Sequence, residues 1–146
     1  MGDDAGGGGG AGARLVLFQC PASFQPSADN VERMRRFFGA IERGALRLLW
    51  EPRGDWPEPL IRTLCGELDL AHVVDPCVAE TVTPRQPYFR MHGIGGWRHV
   101  FSDGELSELG RRLPRAEIAY VMFNNVAMVS DARRFQELLI NRAGRT

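Results

Sequence analysis

Five short apolar segments of this chain each end in polar residues that can bind or react. In chain order these residues are Gln19, Glu51 with Arg53, Asp75, Arg90 with His92, and Asn124 with Asn125. Carboxylates and imidazole act as general acids, general bases or metal ligands, guanidinium groups bind anions, and carboxamides orient polar ligands. We therefore predict catalytic roles for Glu51, Asp75 and His92. The predicted substrate-binding residues are Gln19, Arg53, Arg90, Asn124 and Asn125.

The same residues leave the cofactor unassigned. Glu51, Asp75 and His92 carry ligand atoms that suit a divalent metal ion, but the chain has no H-E-x-x-H or similarly tight ligand spacing. It also has no G-x-S-x-G nucleophile elbow, and its three cysteines lack a nearby charge that would activate a thiol. A metal-dependent site and a metal-free site both remain open.

The fourth segment shows how strand geometry would sort these side chains. Successive strand residues point to opposite faces, so Tyr88, Arg90 and His92 share one face, whereas Phe89 and Met91 share the other. The second face should meet helices, and the first should look into a crevice or a barrel interior. A buried Arg90 needs an acidic partner, and Glu51 and Asp75 are the candidates.

Elements that position these residues follow from the hydrophobic pattern. Strands are predicted over residues 15–20, 45–50, 70–74, 88–92 and 117–123. Four helices alternate with them: Ser27 caps the first over residues 28–43, and Asp55 caps the second in a box with Glu58. Ser102 caps the third in a box with Glu105, and Ser130 or Asp131 starts the last. This alternation predicts an α/β fold with parallel strands, either a small open sheet or part of a barrel.

Composition bounds the class of protein. The 146 residues suit one domain and are too few for a closed eightfold barrel of about 250 residues. The formal net charge is zero, which argues against a bulk electrostatic nucleic-acid binder. No apolar run reaches the roughly 18 residues of a membrane span. The chain has an odd number of cysteines, and its acidic start lacks the apolar core of a signal peptide. Both features favour a cytoplasmic protein. Residues 1–13 are predicted to be a disordered Gly-rich tail, and residues 14–146 the folded domain.

A rim of arginines and tryptophans is predicted around the strand ends. All 18 basic residues of the chain are arginine, and the rim members are Arg53, Arg85, Arg90, Arg98, Trp56 and Trp97. Arginine forms bidentate hydrogen bonds with phosphates, and aromatic rings stack on bases. We therefore expect a phosphate-bearing or nucleic-acid ligand and no membrane partner.

Five motifs, in order and with matching spacing, resemble the domain-of-unknown-function family 72. They are Phe18-Gln19-Cys20-Pro21-Ala22-Ser23-Phe24, Glu51-Pro52-Arg53-Gly54-Asp55-Trp56, Tyr88-Phe89-Arg90-Met91-His92-Gly93, Phe101-Ser102-Asp103 with Glu105-Leu106, and Phe123-Asn124-Asn125. The chain departs from the family pattern at Pro52, before Trp56 and at residues 126–128.

The resemblance implies a partial TIM-like barrel that corresponds to the C-terminal half of the family fold, or slightly more. It implies an uncharacterised protein, with a truncated barrel that lacks complete activity on its own. By fold analogy, the alternative is a metal-dependent phosphodiesterase or nucleic-acid-processing hydrolase with its site at the strand ends. An open sheet edge at residues 15–20 would favour self-association or pairing with a complementary chain.

Overall fold

Residues 12–144 are described by a computed structural model, in which five parallel strands form a curled half-barrel sheet covered by four helices. The strands are β1 (Leu15–Gln19), β2 (Arg47–Glu51), β3 (Ala71–Val74), β4 (Tyr88–Met91) and β5 (Tyr120–Phe123). The helices are α1 (Ala28–Ala40), α2 (Glu58–Leu68), α3 (Asp103–Arg112) and α4 (Met128–Ala143). The strands lie side by side in chain order, so the predicted α/β partial barrel is confirmed. The predicted tail falls outside the described residues except for Gly12 and Ala13.

Strand register places side chains of like parity on the same face of the sheet. Leu17 pairs with Leu49, and Phe89 pairs with Val121. Leu49, Ala71 and Val73 form the buried apolar layer of the concave face, with Leu15, Leu17 and Tyr88 packed against them. Because direction alternates along each strand, the polar residues at the strand ends continue this concave face.

The convex face of the sheet packs against the helices in two apolar clusters. The first joins β1 and β2 to α1 and α2, and its fully buried centre includes Trp50 and Leu64. The second joins β4 and β5 to α3 and α4, and it contains Phe89, Met91 and Leu106. Phe89 and Met91 therefore meet helices, as the alternation in the fourth segment predicts. Each such side chain contributes roughly 1.5–3 kcal/mol through the apolar surface that it buries.

Helix starts follow local capping chemistry at two of the four positions predicted. The Ser27 hydroxyl accepts a hydrogen bond from the Asn30 amide at 3.2 Å and caps α1. Ser102 and Glu105 form a full capping box at α3. The bond from the Ser102 amide also holds the pKa of Glu105 below its ordinary value, since that bond favours the carboxylate.

The other two helix starts differ from the prediction. Pro57, not Asp55, occupies the N-cap position of α2, which has no side-chain cap. The Asp55 amide takes no part in the helix and donates a hydrogen bond to Gln25 Oε1 at 3.2 Å. The ring of Pro57 fixes its φ at −62°, and the helix begins at the next residue. Helix α4 begins at Met128, ahead of Ser130 and Asp131. The Asp131 side chain is fully buried among other partners, so it does not cap the helix.

The connection from β3 to β4 contains no helix, unlike the other three connections. Its polar side chains instead satisfy the backbone of β3, since the Thr83 hydroxyl accepts a hydrogen bond from the His72 amide at 2.9 Å. The Val82 amide donates to His72 Nδ1 at 3.2 Å. This loop therefore covers the part of the sheet that a crossover helix would otherwise cover.

Strands β1 and β5 are the two edges of the sheet. On β5 the concave-face residues Tyr120 and Met122 are 40% and 46% exposed. Leu15 and Leu17 at the β1 edge are partly buried. Association through the β1 edge stays a prediction. No helix within residues 12–144 combines the length and the apolar character needed to cross a membrane.

His72 is buried in β3 as a neutral imidazole. Its side chain is packed beneath the β3–β4 loop, and burial lowers its pKa to about 4. The unfolded chain binds a proton at His72 below a pH of about 6.5, whereas the folded chain does not until about pH 4. Stability from this residue therefore falls as the pH drops through that window, and it is unaffected by pH above it.

We expect His72→Asn to flatten the acid side of the stability profile. The Asn side chain can still accept the Val82 amide hydrogen bond but does not titrate. Urea unfolding at pH 7 and pH 5 should show a wild-type loss about 2 kcal/mol larger than that of the variant. Between pH 7 and pH 8 the two proteins should change in parallel. Equal losses between pH 7 and pH 5 would contradict the assignment.

Candidate functional site

Glu51 is the centre of a hydrogen-bonded cluster at the carboxyl ends of the strands. It is the last residue of β2, and it is only 6% exposed. Its Oε2 accepts a hydrogen bond from Arg90 Nη1 at 2.5 Å, and its Oε1 accepts one from Arg53 Nε at 3.2 Å. Of the two acidic partners predicted for Arg90, the structure therefore selects Glu51.

Arg90 joins three strands through one nitrogen. Besides Glu51 on β2, Arg90 Nη1 donates to Gln19 Oε1 on β1 at 2.7 Å, while Arg90 itself stands on β4. Nη1 carries only two hydrogens, and both are used. Its Nε and Nη2 have no hydrogen-bond acceptor among residues 12–144, although the side chain is only 17% exposed. The guanidinium group thus keeps three N–H donors for another acceptor.

His92 follows β4 and extends the cluster to β5. Its Nε2 lies 3.3 Å from Arg53 Nη2 and 2.9 Å from Asn124 Nδ2. Arginine has donors and no acceptor, so a hydrogen bond from Arg53 uses Nε2 as its acceptor. His92 Nε2 therefore lies between the Arg53 guanidinium and the Asn124 carboxamide.

Asp75 organises the loops beside the cluster. Its Oδ2 accepts hydrogen bonds from the backbone amides of His92 at 2.8 Å and Gly93 at 3.0 Å, and its Oδ1 accepts one from the Cys77 amide at 2.9 Å. The His92 Nδ1 atom is 3.9 Å from Asp75 Oδ2, so the carboxylate also lies near the second ring nitrogen. Asp75 thus ties the end of β3 to the end of β4.

Gly93 allows the chain to turn directly after His92. Its φ is +85°, and a Cβ atom there would lie 2.5 Å from His99 Cδ2. The His99 ring covers this position while its Nε2 pairs with Glu105 Oε1 at 2.8 Å. Sequence spacing does not connect Gly93 with His99, because the turn between them brings the two residues together. The signals in the sequence were the position of Gly93 directly after the fourth strand and the capping box of Ser102 and Glu105.

Asn125 differs from the other predicted site residues. It is 2% exposed, and its Nδ2 donates to the His99 carbonyl and to Asp131 Oδ2, each at 2.7 Å. Asp131 is fully buried and also accepts from the Phe101 amide at 3.1 Å and from Arg134 at 3.0 Å. These bonds join the loop before α3 to the start of α4, so Asn125 hydrogen bonds away from the cluster. Its binding role stays a prediction.

The structure separates two residues that the sequence places on the rim. Trp56 is 7% exposed and stacks on Phe24 in the first convex-face core cluster, with its indole donating to the Phe24 carbonyl at 2.8 Å. It still lines the cavity beside Glu51 and Arg53, so its rim position stays a prediction. Arg85 precedes β4 and lies at the opposite, amino-terminal end of the sheet, in a cavity that is also lined by Arg47 and Glu117. The rim prediction for Arg85 is wrong, because sequence spacing alone did not show which end of the β3–β4 loop it occupies.

A cavity of about 440 Å³ adjoins the cluster between the β2–α2 and β3–β4 loops. Glu51, Arg53, Asp75 and His92 all line it. Within residues 12–144 no group of three or more His, Cys, Asp or Glu side chains is arranged to hold a metal ion. The oxygens of Glu51 and Asp75 are already engaged by donors from the chain. The catalytic roles predicted for Glu51, Asp75 and His92 stay predictions.

The cysteines are free thiols in environments that disfavour the thiolate. Burial raises the pKa of Cys65 to about 12. Burial and, secondarily, the Asp75 charge raise the pKa of Cys77 to about 11. Burial also raises the pKa of Cys20. These shifts agree with the expectation that no cysteine is an activated nucleophile.

A parallel α/β half-barrel with a polar cluster at the carboxyl ends of its strands defines the class of this protein. The chain belongs to the family described as "Protein of unknown function DUF72", whose family model matches residues 10–146. The resemblance of the five sequence motifs to that family is thereby confirmed. A search of curated proteins finds no match.

Solved structures support the fold assignment. Two crystal structures of a DUF72 family protein from Enterococcus faecalis V583, at 3.10 Å and 2.52 Å resolution, superpose with TM-scores of 0.66 and 0.67. Sequence identities are 17% and 18%, and each match covers 86% of this chain. The chain spans 58% and 61% of the length of those two chains. At this identity, the similarity is one of fold.

We expect Gly93→Ala to destabilise the protein by roughly 2–4 kcal/mol. Residue 93 must adopt a positive φ, which alanine disfavours, and the added Cβ would also overlap the His99 ring. Gly95→Ala is the matched control, since Gly95 has a similar φ of +93° but open space around its Cβ position. That variant should lose only about 1–2 kcal/mol. Chemical denaturation measures both losses, and equal values would show that the His99 contact is unimportant.

Proposed function

We propose that the strand-end cluster binds the phosphate group of a small ligand through Arg53 and Arg90. The observation that carries the proposal is that one buried carboxylate, Glu51, fixes both guanidinium groups while leaving donors free on each. Arg53 Nη1 has no hydrogen-bond acceptor within the described part of the chain, and neither do Arg90 Nε and Nη2. Fixed arginine donors are well suited to phosphate oxygens.

The charge of the cluster supports an anionic ligand. Glu51 neutralises one of the two guanidinium groups, so the group of three side chains keeps one positive charge. Asp75 adds a negative charge beside this group, and its oxygens accept hydrogen bonds from three backbone amides rather than from Arg53 or Arg90. The two guanidinium groups therefore keep their remaining donors for an anion. Because Arg90 is mostly shielded from water, its attraction for an anion is stronger than that of an exposed arginine.

Gln19 and Asn124 would orient the ligand at the sides of the cluster. Gln19 Oε1 holds Arg90, and Asn124 Nδ2 holds His92. A polar group of the ligand could form a further hydrogen bond with either amide side chain, or replace its present bond to Arg90 or His92. A nucleic-acid ligand would present the same phosphate chemistry. A cytoplasmic location is part of this proposal, and the three free cysteines support it.

Hydrolysis is the second function that the sequence suggests, and no contact in the cluster favours it over binding. The oxygens of Glu51 and Asp75 all accept hydrogen bonds from the chain. For these carboxylates, positioning arginines and loops is the role that their contacts support. The binding proposal needs only the donors that the cluster leaves free.

We expect this chain to bind ribose 5-phosphate but not ribose. Isothermal titration calorimetry at low ionic strength measures both, with inorganic phosphate as a third ligand. Arg53→Met should weaken binding of ribose 5-phosphate at least about tenfold, because a hydrogen-bonded charge is lost. Arg53 is the better test than Arg90, since its side chain is 41% exposed and its loss leaves Glu51 paired with Arg90.

Arg111→Met provides the matched control. Arg111 is an exposed arginine of α3 whose partner is Glu108 on the same helix. This variant should bind ribose 5-phosphate as the wild type does. Equal weakening by Arg53→Met and Arg111→Met would mean that binding is a general charge effect. The absence of binding by any phosphate compound would refute the proposed function.

A further inference from the structure

Trp97 is the one tryptophan of the three in this chain that lies at the surface. Trp50 and Trp56 are 0% and 7% exposed and belong to the convex-face core, whereas Trp97 is 57% exposed. It follows β4 in the loop that leads to α3. The Arg98 guanidinium carbon lies 4.9 Å from the centre of the Trp97 ring. One side of the indole thus carries a cation, and most of the rest of the ring is open to solvent.

Backbone contacts place this loop beside the phosphate-binding cluster. The Trp97 carbonyl accepts a hydrogen bond from the Val126 amide at 2.6 Å. Val126 is two residues beyond Asn124, which contacts His92 at 2.9 Å. Consecutive Cα atoms are about 3.8 Å apart, so the Trp97 backbone stands within a few residues' length of the cluster.

A turn built from glycine holds the tryptophan in this place. Gly93, Gly95 and Gly96 all have positive φ, a conformation that other residues rarely adopt. The Gly96 amide donates to the Gly93 carbonyl at 3.1 Å, and the His99 amide donates to the Gly96 carbonyl at 3.0 Å. Trp97 therefore leaves a hydrogen-bonded turn that starts directly after His92.

The neighbouring surface is apolar as well. Ile94 in the same loop is 73% exposed, and Val126 in the loop after β5 is 58% exposed. Exposed apolar side chains on the loops next to a polar cluster can contact the apolar part of a ligand. The Arg98 cation and the flat indole together favour an aromatic ring over an aliphatic chain.

From this arrangement we infer that the ligand is a mononucleotide, with its phosphate at Arg53 and Arg90 and its base stacked on Trp97. The inference rests on the proposed function, because it assigns the second half of the same ligand. Stacking on Trp97 requires no hydrogen bonds to the edge of the base, because every base has a flat ring that can stack. Trp97 thereby determines preference for an aromatic phosphomonoester over other phosphate compounds.

Three probes separate the two parts of the ligand. Adenosine 5′-monophosphate carries phosphate and base, ribose 5-phosphate lacks the base, and adenosine lacks the phosphate. We expect the wild type to bind adenosine 5′-monophosphate about tenfold more tightly than ribose 5-phosphate. Trp97→Leu should abolish that preference while leaving ribose 5-phosphate binding unchanged. Trp97→Phe should keep part of the preference.

Fluorescence gives a readout that a structural role would not change. Trp97 is the exposed indole, so a stacked base should quench the emission of the wild type. Trp97→Phe should remove the quenching while adenosine 5′-monophosphate still binds.

Vesicles of phosphatidylcholine with phosphatidate test a lipid phosphate as the alternative source. Circular dichroism confirms that the variants, altered at an exposed site, are folded.

The outcomes separate this inference from the proposed function. Tight ribose 5-phosphate binding without a preference for adenosine 5′-monophosphate would overturn the role of Trp97 and leave the phosphate site intact. Binding to phosphatidate vesicles that is lost in Trp97→Leu, again without nucleotide preference, would overturn it in favour of a lipid surface. Failure of every phosphate compound to bind would refute the proposed function itself.

Discussion

A carboxylate that has lost nearly all of its water must be paired, and Glu51 is such a carboxylate. Arg90 and Arg53 supply the pairing, one on each carboxylate oxygen. Neighbouring strands are about 4.8 Å apart, and Arg90 on β4 must reach past β3 to Glu51 and past two strands to Gln19. In a flat sheet the Gln19 contact would have to span three strand spacings. The curl of the half-barrel brings these side chains together, so the ion pair and the curvature depend on each other.

The loop from β3 to β4, which contains no helix, also helps to position the residues of the cluster. Its threonines hydrogen bond to the backbone of β3, and Asp75 at its start holds the amides of His92 and Gly93. The short connection therefore does two things that a crossover helix does not. It covers a buried neutral histidine, and it fixes the backbone from which His92 enters the cluster.

Sequence patterns predicted the parts of this structure that depend on periodicity. Alternation in the segment from Tyr88 to His92 separated the helix-facing residues from the concave-face residues. It also predicted that a buried Arg90 has an acidic side chain as its partner. Patterns failed where a side chain had several available partners. Asp55 has the residue type and spacing of a helix cap, yet the N-cap of α2 is Pro57, and the Asp55 amide donates to Gln25 instead. Asn125 shares a strand end with Asn124, but one residue of offset turns it toward Asp131 in the interior. Local spacing contains no information on these long-range partners.

The predicted function depends on side chains, whereas the similarity to solved structures depends on the backbone. At 17% and 18% identity most side chains differ, and what persists is a sheet that delivers its strand ends to one place. Arg53 and Arg90 are held by contacts from β1, β2 and the residue directly after β4, and Asn124 after β5 contacts His92 in turn. Every partner of these two guanidinium groups within residues 12–144 therefore belongs to this one sheet or directly follows one of its strands. Because the partners lie within the chain itself, the proposed phosphate binding can be tested on this chain directly.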